Sequence, residues 1–177
     1  MTKHLKILVS GLYMILTKEE ILKEIAAGNI VIKPFSKKHL GPASLDITLS
    51  NEFCAFPTGH RITLSEKTDV EKFTKWYKAR QQILKPGDFL LGKTIEKITL
   101  PTNVCGFISG RSRFARIGLS IDVTAFLIPP GVSNHQVFEI KNQFNHTVIL
   151  KPGLRIAQIV FMQTKGEAKC TGKFDKQ

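Results

Sequence analysis

From Ile30 onward the chain is cut into short apolar or alternating runs by glycine and proline, and this punctuation constrains the fold most. IVIKPF, SLDITL, EFCAF and HRITL are separated by Pro34, Gly41-Pro42 and Pro57-Thr58-Gly59. After Lys85-Pro86-Gly87 come DFLLGKTIEKITL, VCGFISG, GLSIDVTAFLI, HQVFEIKN, TVILKPG and RIAQIVF, each bounded by Pro, Gly or Asn. Runs of this length read as strands, because β-branched and aromatic side chains suit a half-buried pleated surface while Gly and Pro interrupt it. At 177 residues the chain is long enough for one core and short for two, so the pattern predicts a single compact β barrel or jelly roll.

Residues 17–27, TKEEILKEIAA, read differently. Thr17 is an N-cap with Glu20 three positions later, Ile21, Leu22 and Ile25 form an apolar stripe, and Gly28 is a stop. One short amphipathic helix follows from that pattern. The charged segment 66–82 reads as a helical turn or a loop, pinned to the body by Phe73, Trp76 and Tyr77.

Lys and Arg outnumber Asp and Glu by 26 to 14, a net charge of +12 that must face solvent or an anionic partner. Nucleic acid, anionic lipid and a triphosphate all fit that charge. The basic residues are scattered singly or in pairs such as Lys37-Lys38, without an arginine-rich run or aromatic-basic ladder, which counts against nucleic acid and gives a steering field for a small polyanion comparable weight. No run approaches the roughly 18 to 20 apolar residues of a membrane span. The opening MTKHLKILVSGLYMI has a basic start and an apolar patch, but the patch is short and no small-residue cleavage site follows, so a cytoplasmic location is expected. Cys54, Cys105 and Cys170 are too far apart, and odd in number, for a disulfide framework or a zinc knuckle.

Two familiar patterns fail on context. Gly87 to Thr94 satisfies GxxxxGK[ST], yet its interior holds Phe89, Leu90 and Leu91, and the following IEKITLP is β-branched and ends at proline. A phosphate loop needs small residues and an ensuing helix. The zinc deaminase signature, a His or Cys in HxE with a PCxxC pair, is absent, and His4, His39, His60, His135 and His146 are isolated. No metal site of the protein's own is expected.

Residues 110–119, GRSRFARIGL, place Arg111, Ser112 and Arg116 close together between glycines that permit near approach of backbone. Guanidinium groups suit phosphate and carboxylate, and a serine hydroxyl can hold water or an oxyanion. The same residues equally suit a solvated basic turn. Glu139 is the only acid in HQVFEIKN, sharing a strand face with Val137 and Lys141 while Phe138 and Ile140 point the other way. On an inward face its carboxylate would need a partner such as Arg116, or a raised pKa, and either suits a general base. On an edge strand it would be an ordinary exposed glutamate.

These segments resemble the dCTP deaminase and dUTPase family. GRSRFARIGL is similar to its GRSSLARLGL motif, VTAFLIPPG to its TAxxIDPG turn, VFEIKN to its LEFYN or LELSN strand, and PGLRIAQIVF to its PGMRIAQLVF strand. Upstream, MILTKEEILKEIAAGNIVIKPF resembles the opening helix and strand, and LGPASLDITLSNEF resembles QPASVDLRLGNEF. The closing CTGKFDKQ resembles YSGKYQGQ. The likeness runs from about residue 14 to 177 and divides the chain into an N-terminal extension (1–13), a dUTPase-like β domain (14–165) and a closing tail (166–177).

The resemblance implies a mainly β, distorted jelly roll of the dUTPase-like type with one short N-terminal helix. It further implies a homotrimer with active sites between subunits, and Mg²⁺ carried by the triphosphate of dCTP or dUTP. Glu139 falls at the deaminase base, Ser112 where a hydroxyl holds the attacking water, and Arg116 where a guanidinium stabilises the charged site. Arg111 falls among the phosphate contacts, Gln158 at the family's site glutamine, and Thr124 within its TAxxIDPG turn. Lys173 and Gln177 match tail residues that close over the triphosphate. Relatives without deaminase activity generally carry an apolar residue in place of Glu139.

The chain also departs from the family pattern. Pro129 replaces the aspartate of IDPG, which in relatives that cleave dUTP helps to place water. Val132, Asn134, Arg113 and Cys170 replace an aromatic residue, a turn glycine, a serine and a tyrosine, and Asp122 stands where histidine is common. The leading expectation is zinc-free hydrolytic deamination of dCTP to dUTP and ammonia. The alternatives are dUTP cleavage to dUMP and pyrophosphate, alone or coupled to deamination, and a catalytically impaired nucleotide-binding protein.

Overall fold

The computed structural model describes residues 14–56, 59 and 61–171. The expected extension over residues 1–13 lies outside this range, as do Lys173 and Gln177 of the expected tail. Helix α1 (Lys18–Ala26) begins after Thr17 and turns off at Gly28, whose φ of +76° is the left-handed conformation that glycine adopts without strain. Ile21 is its fully buried anchor. Thr17 makes no side-chain cap, and Glu20 instead pairs with Lys23 at 2.6 Å.

The rest is β structure, as the punctuated runs predict. The strands are β1 (Val31–Lys33), β2 (Leu45–Ala55), β3 (Lys75–Lys78), β4 (Gln82–Leu84), β5 (Phe89–Thr99), β6 (Val104–Gly110), β7 (Leu119–Ile121), β8 (Leu127–Ile128), β9 (Ser133–Asn142), β10 (Val148–Leu150) and β11 (Arg155–Gln163). A second, four-residue helix, α2 (Ser112–Ala115), links β6 to β7. Among the described residues, the main sheet runs β7-β9-β5-β2-β11-β6-β8, with β1 on β5 and β3 on β2, and every pairing is antiparallel. Strands β4 and β10 form a separate pair.

This sheet curls around a core in which Phe53, Phe138, Phe161, Ile47, Leu49, Ile98, Ile140 and Ile159 are all fully buried. Alternation along β9 sends Phe138 and Ile140 into that core and leaves Val137, Glu139 and Lys141 on the half-buried opposite face. The register fixes this arrangement, since Ile140 lies opposite Leu90 on one side and Ile121 on the other. At the end of β9, fully buried Asn142 donates to the carbonyls of Leu84 and His146 and accepts from the amide of Phe144, so none of its polar atoms is wasted.

The false phosphate loop is indeed strand: Phe89 to Thr94 opens β5. Gly92 is there for space, because a Cβ at that position would meet Leu49 Cδ1 at 2.8 Å. The segment 66–82 contains a 3₁₀ turn over Val70–Phe73 and then β3, rather than only a turn or loop. Lysines at 75 and 78 hid its strand character, which rests on pairing with Glu52–Ala55 and on Tyr77 lying 6.2 Å from Phe53, ring to ring. Residues 61–64 of the run HRITL form no strand, and Leu64 is 79% exposed.

Candidate active site

The turn between β7 and β8 closes over Glu139. Its first residue, Asp122, extends the β7–β9 ladder by donating its backbone amide to the carbonyl of Glu139 at 2.9 Å. Two residues later the Thr124 amide donates to Glu139 Oε2 at 2.6 Å, and the Thr124 hydroxyl lies 3.0 Å from Oε1 and 3.1 Å from Oε2. The Ala125 amide reaches Oε2 at 3.4 Å. The carboxylate is therefore oriented by two amides and a hydroxyl, and no ion pair joins it to Arg116. The sequence-based partner Arg116 sits at the C-cap of α2 with its side chain exposed. The turn's own amides take the place of the guanidinium because an amide at each successive residue reaches the carboxylate without a long side chain.

Asp122 has φ of +61°, the one positive φ outside glycine among the described residues. Both of its carboxyl oxygens are buried without a hydrogen-bond partner. Burial, and secondarily the charge of Glu139, push this carboxyl up to about 7.

A second group of polar side chains surrounds a cavity of about 410 Å³ where β2, β11 and the start of α2 meet. Arg111 and Ser112 enter it from α2, Gln158 and Arg155 from β11, Ser44 and Asp46 from β2 and the turn before it, and Lys38 and His39 from the preceding 3₁₀ turn. Asp46 Oδ2 binds Nη2 of Arg111 at 3.1 Å and Nη1 of Arg155 at 3.2 Å. Arg111 Nη1 also donates to the Arg155 carbonyl at 3.0 Å, and Ser44 Oγ donates to Gln158 Oε1 at 3.0 Å. One carboxylate thus spaces two guanidiniums at the mouth of a polar cavity, an arrangement suited to phosphate oxygens.

Gly118 holds this region to the rest of the sheet. Its φ is +77°, and a Cβ there would stand 2.9 Å from the Phe144 amide nitrogen, so only glycine lets the chain after α2 pass this close.

Of the sequence-derived residues, Arg111, Ser112 and Gln158 share the cavity, while Glu139, Thr124 and Asp122 share the turn. Arg116 lies between the two groups in sequence and contacts neither carboxylate, and Lys173 and Gln177 lie outside the described residues. The sequence pattern misses Asp46, Arg155, Ser44, Lys38 and His39 as site residues. The available signal was alternation in SLDITL, where Asp46 is the one acid between buried Leu45 and Ile47. Among the described residues no three His, Cys, Asp or Glu side chains stand together as metal ligands, and no helix is long and apolar enough to cross a membrane.

The sequence model of the dCTP deaminase-like family matches residues 15–164. The chain belongs to that family. A dCTP deaminase of Halorubrum lacusprofundi is 32% identical over 163 residues, covering 88% of this chain and 80% of its own. A dUMP-forming dCTP deaminase of Corynebacterium glutamicum is 31% identical over 159 residues, covering 88% and 84%. The crystal structure of the 2′-deoxycytidine 5′-triphosphate deaminase from Agrobacterium tumefaciens superposes with a TM-score of 0.66 at 18% identity, over 85% of this chain and 48% of that one. At that identity the likeness speaks for the fold, and it agrees with the jelly roll expected for the dCTP deaminase-like family.

Proposed function

We propose that the protein is a hydrolytic dCTP deaminase that releases dUTP and ammonia, with Glu139 as its base. The observation that carries this reading is the grip of Thr124 and Ala125 on the Glu139 carboxylate, which fixes a proton acceptor on a half-buried face beneath the β7–β8 turn. Glu139 takes a proton from water as its oxygen bonds to C4 of cytosine. It passes that proton to N3, then takes the proton of the new C4 hydroxyl and gives it to the amine, so that the C4–N bond breaks, ammonia leaves and the C4 carbonyl of uracil remains. Ser112 holds the water and Arg116 stabilises the charged intermediate. Activation by a carboxylate asks for no zinc, and Mg²⁺ arrives with the substrate on the triphosphate.

The phosphates go to the cavity lined by Arg111, Arg155 and Gln158. Its lining does not include Glu139 or Thr124, which supports a complete site built from the cavity of one copy and the turn of another, in a homotrimer. Exposed Val123, Phe126 and Leu127 around that turn, with Phe126 stacked on Phe107 at 5.9 Å, give a neighbouring copy an apolar surface to cover. Lys173 and Gln177 close over the triphosphate from the tail.

A second reading, coupled formation of dUMP, is favoured by relatives named as dUMP-forming enzymes. Pro129 counts against it, because proline has no side-chain acid to place a second water. Ammonia release from dCTP by the wild type but not by Glu139→Gln supports deamination; equal release by both removes Glu139 from the chemistry.

A further inference from the structure

We propose that Asp122 is a positioning residue that works as a neutral carboxylic acid, holding the 122–125 turn in the form in which Thr124 and Ala125 grip Glu139. The inference rests on the reading of Glu139 as the base.

Four observations converge on it. Asp122 pays for a left-handed backbone at a residue that is not glycine, and strain of this kind persists only where the surroundings enforce it. Both carboxyl oxygens are buried with no donor, an arrangement costly for a carboxylate and far less so for the protonated acid. Its amide is bonded to the Glu139 carbonyl, so the residue cannot shift without moving β9 or the turn. Thr124, the clamp on the carboxylate, is only two residues away.

The charged and titratable groups on the elements around it are His135, Glu139 and Lys141 on β9, Arg113 and Arg116 in and beside α2, and Cys105 on β6. Of these only Glu139 bears on its titration, and it does so as a like charge that adds to burial. Two adjacent carboxyl groups are thereby divided in role. Glu139 has three donors and is held as the acceptor, whereas Asp122 has none and keeps its proton. Above a pH of about 7 Asp122 ionises and must find water or a donor, which requires the turn to open and Thr124 to leave Glu139.

The sign follows from linkage. The folded-state pKa lies above the ordinary 3.8, so the native state holds a proton that the unfolded chain has released. The associated stability is complete below 3.8 and is lost as pH rises through about 7. Asparagine keeps the shape, tolerates positive φ and cannot ionise. Melting temperatures of the full-length wild type and Asp122→Asn are therefore compared between pH 5 and 8.5, alongside kcat for dCTP over the same range. The wild type is expected to lose melting temperature relative to the variant as pH approaches 7. Its kcat should fall about tenfold per pH unit beyond that point, while kcat of the variant stays level.

A melting gap that is constant with pH, or that moves the other way as for an ionised aspartate paired across an interface, overturns the neutral acid. A high-pH limb in kcat identical in both proteins overturns the positioning role. If Asp122→Asn does not fold, Asp122→Gly, which adopts the same φ freely, takes its place in both measurements. If the wild type releases no ammonia at all, the deaminase reading fails, and the melting comparison still decides the protonation of Asp122 by itself.

Discussion

Thr124 holds Glu139 through main chain and side chain at once, with its amide 2.6 Å from Oε2 and its hydroxyl 3.0 Å from Oε1. An orientation fixed at both oxygens leaves the carboxylate few ways to turn, and a base must point at its proton to be useful.

Replacing Glu139 by Gln keeps the shape and removes the basicity. Deamination should fall by at least the roughly 10²- to 10⁴-fold that a positioned acid or base contributes, while the dissociation constant for dCTP changes only a few-fold. Single-turnover kinetics together with calorimetric binding check both halves, and a large loss of binding would make Glu139 a substrate anchor instead.

Thr124→Val removes the hydroxyl and retains the amide. The lost hydrogen bond to a charged group should lower kcat roughly tenfold, and Thr124→Ser should restore most of it. Steady-state kinetics of the two variants side by side separate the hydroxyl from the methyl group.

At the cavity, Arg155→Ala removes one of the two guanidiniums that Asp46 spaces. If this cavity binds phosphate as proposed, the expected result is a rise in KM for dCTP of about tenfold or more with a smaller change in kcat, because the contact would serve bound phosphate before and during reaction alike.

The two halves of the site can be tested against each other. If the site is shared between copies as proposed, Arg111→Ala and Glu139→Gln chains, each inactive alone, should regain deaminase activity when unfolded and refolded together, because a mixed assembly pairs an intact cavity with an intact turn. Purely additive residual activity would mean that each chain supplies both halves of its own site.

Phe138 is fully buried next to Glu139 on β9, so Phe138→Ala should cost about 3 to 5 kcal/mol and lower the melting temperature accordingly. The effect reaches the site through the strand, since Phe138 and Glu139 share one backbone.

Much of this architecture was readable in the sequence. Gly or Pro stands close to most strand ends, and the alternation of Phe138, Glu139 and Ile140 assigns Glu139 its face. Strand β3 was hidden because Lys75 and Lys78 mask a period-2 pattern that only its pairing with β2 reveals. The partners of Glu139 were hidden for a different reason. Amide donors are present at every residue and leave no trace in composition, so of the contacts to Glu139 only the Thr124 hydroxyl has a side-chain signature. Asp46 and Arg155 lie far apart in sequence, and only the pairing of β2 with β11 brings them to one cavity.

The most direct test of the account is to incubate the purified protein with dCTP and Mg²⁺ and to resolve the nucleotides by chromatography, with ammonia and pyrophosphate assayed in parallel. Accumulation of dUTP with equimolar ammonia and no dUMP is the predicted result, whereas unchanged dCTP under conditions where the nucleotide binds would contradict it.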